Sequence, residues 1–381
     1  MNNFRNLTYI TYQTFPANTA NSLQTITNIS ELVRQGVKVK LIFPDRDSQS
    51  SDNLDRIQNF YEIEEDFEII KLKHNLPFGK FKFFNKLTYH LSHFLWSKKT
   101  VKNVINNSKN EYFFTRSDWV FYFLSKHKKH VIFECHQPSK LRNIILKLCL
   151  RKETSKIIFL NDSLYKNYKK SIKFDFNYIV LNNGYKNTFF KDEVKKKNNQ
   201  IIFVGELLRF GSTRNIEFII SCFEDSRLDK YNLKIIGGPE SYIKSLKENR
   251  KNKFPENIEF LGRLSHLNTI KILQESEVGL LINSSKNKHS VKFTSPLKYF
   301  EYLAANLKIV AVDFDSHRKL PLASNILFFS EDSKESFIQC ILNSVDLNPI
   351  KEIDYISFSI ETRVKTLLNF ARLEGLEPPT L

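Results

Sequence analysis

The segment Phe293–Ala305 (FTSPLKYFEYLAA) runs from a polar loop into a helix and carries a lysine and a glutamate over its opening turns. Pro296 suits the first turn, where its missing N–H breaks no hydrogen bond. The backbone N–H groups of Leu297 and Lys298 then point out of the helix start, without partners inside the helix. A phosphate set there gains from those donors and from the helix dipole, the latter worth ~0.3–1 kcal/mol. Glu301 follows within the first turns, where a carboxylate can accept both hydroxyls of a ribose. The chemistry on offer is nucleotide binding. The same residues also read as a capped helix with an acidic start, and this segment alone does not separate the two.

A second segment has a different chemistry. From Lys71 to Lys109 there are nine lysines, with no Asp or Glu between Glu68 and Glu111. Phe78, Phe81, Phe83, Phe84, Tyr89, Phe94 and Trp96 are interleaved with them. Such a stretch fits an anionic membrane surface, where each lysine contributes about 1 kcal/mol. It equally fits a solvated helix pair whose aromatics belong to a core. The formal net charge of +17 points the same way, toward a phosphate substrate, an anionic lipid or nucleic acid. The richness in Lys, Asn, Ile and Phe also fits an A+T-rich coding bias, so the local distribution carries more weight than the total.

Other chemistries find little support. Cys135, Cys149, Cys222 and Cys340 are far apart with no CxxC pair, which fits reduced thiols better than zinc or disulfides. No RNA- or DNA-binding signature accompanies the charge. No apolar run approaches the ~18 residues of a membrane span. Met1–Tyr12 lacks the apolar core of a secretory signal, so a cytoplasmic chain, peripheral on the membrane at most, is expected.

The elements that must position these residues alternate between strand and helix. Leu7–Tyr12 reads as a strand, and Leu23, Ile26, Ile29, Leu32 and Val33 recur at helical spacing. Gly36 ends that helix and Val37–Phe43 is a second strand, giving a βαβ unit of a parallel sheet. Further strands are expected at Phe67–Leu72, Tyr112–Thr115, His130–Glu134, Lys156–Leu160 and Tyr178–Leu181. Lys195–Asn199 is charged, has no apolar anchor and reads as a linker. The alternation then restarts, with strands at Ile201–Val204, Asn232–Ile236, Ile258–Leu261, Val278–Ile282, Lys308–Val312 and Ile326–Phe329. Helices are expected at Asn215–Phe223, Leu267–Glu275 and Leu297–Ala305. Two consecutive doubly wound α/β domains follow, with ligands expected beyond the carboxyl ends of their strands.

Phe293–Ala305 resembles the donor-binding motif of the retaining, family-four glycosyltransferases, in the branch that carries SPLK followed by two residues and Glu-Tyr. The resemblance runs through most of the chain. Ile201–Ile216 (IIFVGELLRFGSTRNI) is similar to the first strand and basic loop of that family's donor domain, and Leu233–Glu240 (LKIIGGPE) to the next strand and turn. Asn257–Asn283 resembles the segment that frames the base, Phe15–Ser22 (FPANTANS) the acceptor-side loop, and Phe114–Ser117 and Phe133–His136 the strands that end at the cleft. Asn182–Gly184 is similar to the crossover between domains, and Phe358–Arg363 to the last helix.

The resemblance implies the GT-B fold, two Rossmann-like domains facing a central cleft. It assigns residues 1–182 to acceptor binding and 183–350 to the nucleotide-sugar. A helix within 351–372 returns to the first domain, and 373–381 form a disordered tail. It also implies roles. Glu301 holds the donor ribose, while Arg214, with Arg209 as partner, binds the diphosphate and gains strength as the leaving group charges. Gly205, Arg263, Ser295, Pro296, Leu297 and Lys298 complete the donor contacts, Lys298 as a second positive charge or as a solvated one. His136 lies near the transferred sugar, and Asn18, Thr19, Asn21 and Arg116 lie on the acceptor side. Two positions depart from the family. The motif's first glutamate falls at Phe293 and is absent, and Glu206 replaces the arginine after the strand glycine.

The implied reaction moves a sugar from a nucleotide-sugar to a saccharide acceptor, expected to be lipid-linked and part of lipopolysaccharide, capsule or exopolysaccharide assembly. No cofactor or metal is expected, on the reading that the donor half lacks an Asp-x-Asp pair. Competing readings are a sugar-nucleotide epimerase of the same fold, a non-catalytic donor binder, and a basic protein that binds nucleic acid or an anionic surface.

Overall fold

Strands of a parallel sheet are covered on both faces, so their sequence is apolar almost throughout. The computed structural model builds two such sheets. It describes residues 6–76, 85–106, 112–187, 190, 194–209, 212–250, 254–346 and 355–372. The chain divides into two compact units, residues 1–182 with 360–381, and 183–359.

In the first unit the elements are β1 (Asn6–Ile10), α1 (Ala20–Arg34), β2 (Lys38–Asp45), α2 (Leu54–Tyr61), β3 (Glu68–Lys73) and α3 (Asn85–Ile105). Then come β4 (Tyr112–Thr115), α4 (Asp118–Lys126), β5 (Val131–Cys135), α5 (Lys140–Cys149), β6 (Ser155–Phe159), α6 (Asp162–Lys169) and β7 (Tyr178–Val180). The sheet order is β3-β2-β1-β4-β5-β6-β7, with parallel pairing throughout. Alternate residues serve opposite faces. Leu7, Tyr9, Leu41, Phe43 and Ile132 pack with α1, α2 and the chain's last helix, Ile360–Arg372. On the other face Phe133 stacks on Phe121 of α4, with ring centroids 4.9 Å apart. The last helix packs along α1, and buried Lys156 of β6 donates to its closing carbonyls, Phe370 O (3.0 Å) and Ala371 O (3.3 Å). A cation at a helix C-terminus complements the dipole there.

The second unit repeats the scheme. It contains β8 (Gln200–Val204), a short antiparallel pair β9 (Leu208–Arg209) and β10 (Ser212–Thr213), α7 (Ile216–Cys222), β11 (Asn232–Ile236), α8 (Glu240–Asn249), β12 (Ile258–Gly262) and α9 (His266–Glu275). These are followed by β13 (Val278–Leu281), α10 (Lys288–Lys292), α11 (Leu297–Ala304), β14 (Lys308–Val312), α12 (Asp315–Arg318), β15 (Ile326–Phe329) and α13 (Lys334–Asp346). The six-stranded order is β12-β11-β8-β13-β14-β15. Ile201, Phe203, Leu233, Ile235 and Leu280 face α7, α8 and α13, while Ile202, Val204, Ile236 and Ile309 face α9 and α11. Gly279 of β13 lies under Tyr302 of α11 so closely that a Cβ there would sit 2.5 Å from the ring. In both sheets the order reverses direction once, between β1 and β4 and between β8 and β13. Ligands of open α/β sheets bind beyond the carboxyl ends at such switch points.

One reading of the sequence needs correction, and another left open is narrowed. Lys195–Asn199 is not a linker between the units. It lies inside the second, where Lys196 Nζ donates to Ala305 O at 2.6 Å and Lys197 Nζ meets Glu275 Oε2 at 2.5 Å. A charged run without apolar residues is anchored here through its amines. In the basic stretch, Tyr89, Phe94 and Trp96 turn inward against Tyr12, Trp119 and Phe123, and Lys71 meets Asp45 at 3.5 Å. The apolar residues that α3 exposes are Leu87, Leu91 and Leu95, four apart and therefore on one face. Phe78, Phe81, Phe83, Phe84 and Lys109 lie outside the described residues, as does the expected tail 373–381.

Candidate active site

At the end of β8 the backbone approaches that of β11 too closely for side chains. A Cβ on Gly237 would lie 1.9 Å from Gly205 O, and one on Gly205 would lie 2.6 Å from Arg214 Nη1. The Arg214 guanidinium therefore sits over bare backbone at the carboxyl edge. The backbone N–H of Arg214 donates to Leu207 O at 3.1 Å, and Leu207 N donates to Gly238 O at 2.7 Å, which fixes the β8–β9 turn beneath the guanidinium. Arg209 belongs to β9, paired with Ser212. Nothing further is described for its side chain.

Across the switch point, Pro296 caps α11 and Ser295 is 9% exposed, its carbonyl accepting from Asn183 Nδ2 at 2.7 Å. The Ser295 hydroxyl is buried without a hydrogen-bond partner among the described residues. Leu297 and Lys298 form the first turn, whose N–H groups have no acceptor within the helix. Glu301, one turn on, is 5% exposed. Lys298 Nζ is 2.6 Å from its Oε2 and His266 Nε2 is 3.1 Å from its Oε1. Lys298, three residues from Glu301, is paired with that carboxylate. His266, the first residue of α9, is a member of this group that the sequence reading missed. Its position one residue after the Ser265 cap, close behind Gly262 and Arg263 at the end of β12, was the available signal.

Burial alone would raise Glu301, but Lys298 and His266 hold it at about 2. The Tyr302 phenol, which bonds Val204 N at 3.2 Å, is raised by burial; Glu301 adds to that rise and Arg214 opposes it. Both charges thus flank Tyr302 at the end of β8.

Arg263 follows a different course. Its guanidinium grips Glu206 through two bonds, Nε to Oε1 at 3.1 Å and Nη2 to Oε2 at 2.7 Å, and lies against Gly238. The acidic residue at the family's arginine position is neutralised from the end of β12. The pair is half-exposed and adds at most about 1 kcal/mol to stability. Phe293 ends α10 and brings no carboxylate. The expectation that this half contains no Asp-x-Asp is wrong: Asp313-Phe314-Asp315 has that pattern. Its carboxylates are engaged by Arg318 and by Lys319 (2.6 Å), and no group of three or more metal-ligating side chains forms among the described residues. A surface groove of about 490 Å³ lies at the amino ends of β8, β11 and β12, lined by Gln200, Asn232 and Ile258, away from all of these residues.

In the first unit the carboxyl edge holds a buried charge network. Glu134 of β5, 2% exposed, accepts from Arg363 Nη2 at 2.6 Å, lies 3.5 Å from Arg116 Nε and is bonded by His136 Nε2. Burial alone would raise Glu134, yet Arg363, His136 and Arg116 hold it well below the usual carboxylate range. Arg116 Nη2 also bonds His136 Nδ1 at 2.6 Å, and burial and Arg116 lower His136 to about 3. The neutral ring with its proton on Nε2 satisfies both contacts, which commits both nitrogens to protein partners. Arg116 further donates to Asn21 O (3.2 Å) and Gln24 Oε1 (3.1 Å). Thr19 caps α1 by accepting from Ser22 N, while Asn18 and Asn21 are exposed.

The Glu301 cluster has a consequence for stability. A carboxyl depressed to about 2 in the folded chain, against about 4.5 unfolded, contributes stability above the unfolded value that is lost as pH falls through it. Between pH 7 and about 4 this loss comes to about 1 kcal/mol. Denaturant unfolding across that range should show the wild type losing about that much more than Glu301→Gln; parallel curves would contradict the depressed value.

Comparison with known proteins adds a family and a fold. Residues 198–346 match the family described as "Glycosyl transferases group 1". No curated protein sequence matches the chain. Among solved structures, the E. coli trehalose-6-phosphate protein bound with UDP-2-fluoro glucose is 10% identical, with a TM-score of 0.68 over 97% of this chain and 99% of that one. Sucrose-phosphate synthase from Thermosynechococcus elongatus is 12% identical, with 0.65 over 96% of each chain. WaaG, a glycosyltransferase involved in lipopolysaccharide biosynthesis, is 12% identical, with 0.54 over 97% and 96%. At such identities the likeness is one of fold. The family match spans most of the second unit, and the fold shared with these structures, two Rossmann-like domains of the GT-B kind, extends over the whole chain.

Proposed function

We propose that the protein transfers a sugar from a nucleotide-sugar to a saccharide acceptor with retention of configuration, in cell-surface polysaccharide assembly. The carrying observation is the pair of charges flanking Tyr302: Glu301 buried at the start of α11 and Arg214 over Gly205. A diphosphate at the open turn of α11 meets first-turn N–H groups, the unpartnered Ser295 hydroxyl and the Arg214 guanidinium. Glu301 then accepts the ribose hydroxyls by exchanging them for Lys298 or His266. The anomeric C–O bond breaks toward the nucleotide, Arg214 stabilises the charge that accumulates on the leaving phosphate, and the acceptor oxygen attacks from the same side. Its proton passes to the departing phosphate. His136, with both nitrogens committed, positions Arg116 and Glu134 in this reading and does not act as a base. UDP is the favoured nucleotide, because solved structures of this fold hold UDP or its sugar.

The acceptor is placed at an anionic membrane, and WaaG's printed role in lipopolysaccharide biosynthesis supports that reading. So does the exposed Leu87, Leu91 and Leu95 ridge of α3, with exposed Lys98 and Lys99 on the same helix. A leucine ridge beside lysines suits insertion at the headgroup boundary better than buried aromatics do.

Calorimetric titration with UDP, GDP, ADP and CMP tests the donor site. Wild type should bind one of them, with affinity reduced roughly ten- to hundredfold in Arg214→Ala and in Glu301→Ala, as loss of a charged hydrogen bond of about 1.5–3 kcal/mol requires. No saturable binding by any nucleotide would refute the proposal. Flotation with phosphatidylglycerol vesicles tests the membrane reading. Recovery should fall with salt and with Leu91→Glu/Leu95→Glu, whereas equal recovery from phosphatidylcholine would remove it.

A further inference from the structure

Three neighbouring strands of the first unit, β1, β2 and β3, are followed by Tyr12, Arg46 and His74, and these three side chains meet. Tyr12 Oη and His74 Nε2 are 2.8 Å apart, and the Arg46 guanidinium lies 4.7 Å from the centre of the Tyr12 ring. From α3, His93 stacks on the same ring at 4.3 Å and Trp96 approaches to 5.6 Å. Tyr12 N donates to Ser117 Oγ beyond β4, so the ring is pinned beside the switch point. It is here, outside the carboxyl ends of the strands, that an open α/β sheet receives ligands.

The charges at this place do not balance. Arg116 and Arg363 pair with Glu134, and Arg142 pairs with Asp118. Arg46 is half-buried, and no carboxylate pairs with it among the described residues. Its chain neighbours are turned elsewhere, Asp45 to Lys71 and Asp47 to the N–H of Gln49. Two buried nitrogens around the same ring also lack partners among the described residues: His93 Nε2 and Trp96 Nε1, on side chains 5% and 3% exposed. A buried N–H left unpaired costs about 1–3 kcal/mol, and native structures keep few of them. Burial, with Arg46 among the neighbouring charges, lowers His93 to about 3 and His74 to about 4, so both rings are neutral and the local charge is that of Arg46.

We infer that Arg46, Tyr12, His93 and Trp96 form a binding site for an oxyanion, a phosphate or a carboxylate, carried by the acceptor. The guanidinium supplies charge and paired donors, Trp96 a fixed N–H, and the Tyr12 ring the floor that holds Arg46 in place. The acceptor is then a charged saccharide. Assigning the anion to the acceptor rests on the glycosyltransferase reading; the anion site itself does not.

Calorimetry on the full chain with glucose 6-phosphate, glucuronate, a short polyprenyl diphosphate in micelles, and neutral glucose distinguishes the sources of the anion. At least one anionic probe should bind with glucose failing to compete, and Arg46→Gln should weaken it at least tenfold while Arg46→Lys restores part of the loss. Nucleotide affinity should stay unchanged in both variants, which separates this site from the donor site. Anion binding without nucleotide binding would sustain the site and remove the donor reading. Glucose binding as tightly as the anions, full anion affinity in Arg46→Gln, or no anion binding by a chain that still binds nucleotide would each overturn the inference.

Discussion

The second unit depends on one steric constraint, the close passage of Gly205 and Gly237 where β8 and β11 end. With a Cβ 1.9 Å from a carbonyl oxygen, no other residue fits at 237 unless the strands separate. That closeness leaves exposed backbone at the switch point and gives the Arg214 side chain a surface to lie on. Tyr302 reaches Val204 N from the opposite side of the switch, through the gap left by the missing side chain at Gly279. Three glycines thus set where the charges of Arg214 and Glu301 stand.

Glu134 in the first unit and Glu301 in the second are kept almost out of water. Glu134 is held by two arginines and a histidine, and Glu301 by a lysine and a histidine. Burying such groups costs several kcal/mol per ion, offset only when partners and geometry are good. The Glu134 network ties the last helix, through Arg363, to β5 and to Asn182 O at 2.8 Å. For Glu301 the partners are a lysine and a partly exposed histidine.

Much of the fold could be read from periodicity. Tyr112–Thr115, Asn232–Ile236, Lys308–Val312 and Ile326–Phe329 are strands over the residues expected, because apolar runs bounded by polar turns leave little freedom. The residues of the candidate site were legible where one helix start carries its own chemistry, as at Ser295–Glu301. They were illegible where contact depends on distant elements. Nothing local marks His266 as the partner of Glu301, or Arg263 as the partner of Glu206, since each pair joins turns more than thirty residues apart. The interleaved aromatics left two readings open for a related reason: composition does not say which helix face they take, and α3 turns Phe94 and Trp96 inward and Leu87, Leu91 and Leu95 outward.

The central claim is that the nucleotide binds at the carboxyl edge of the second sheet. Hydrogen–deuterium exchange with and without the nucleotide that binds tests it most directly. The account predicts slowed exchange in Gly205–Arg214 and in the first turn of α11, with the amino-end groove at Gln200, Asn232 and Ile258 unchanged. Protection confined to that groove or to the first unit would contradict it.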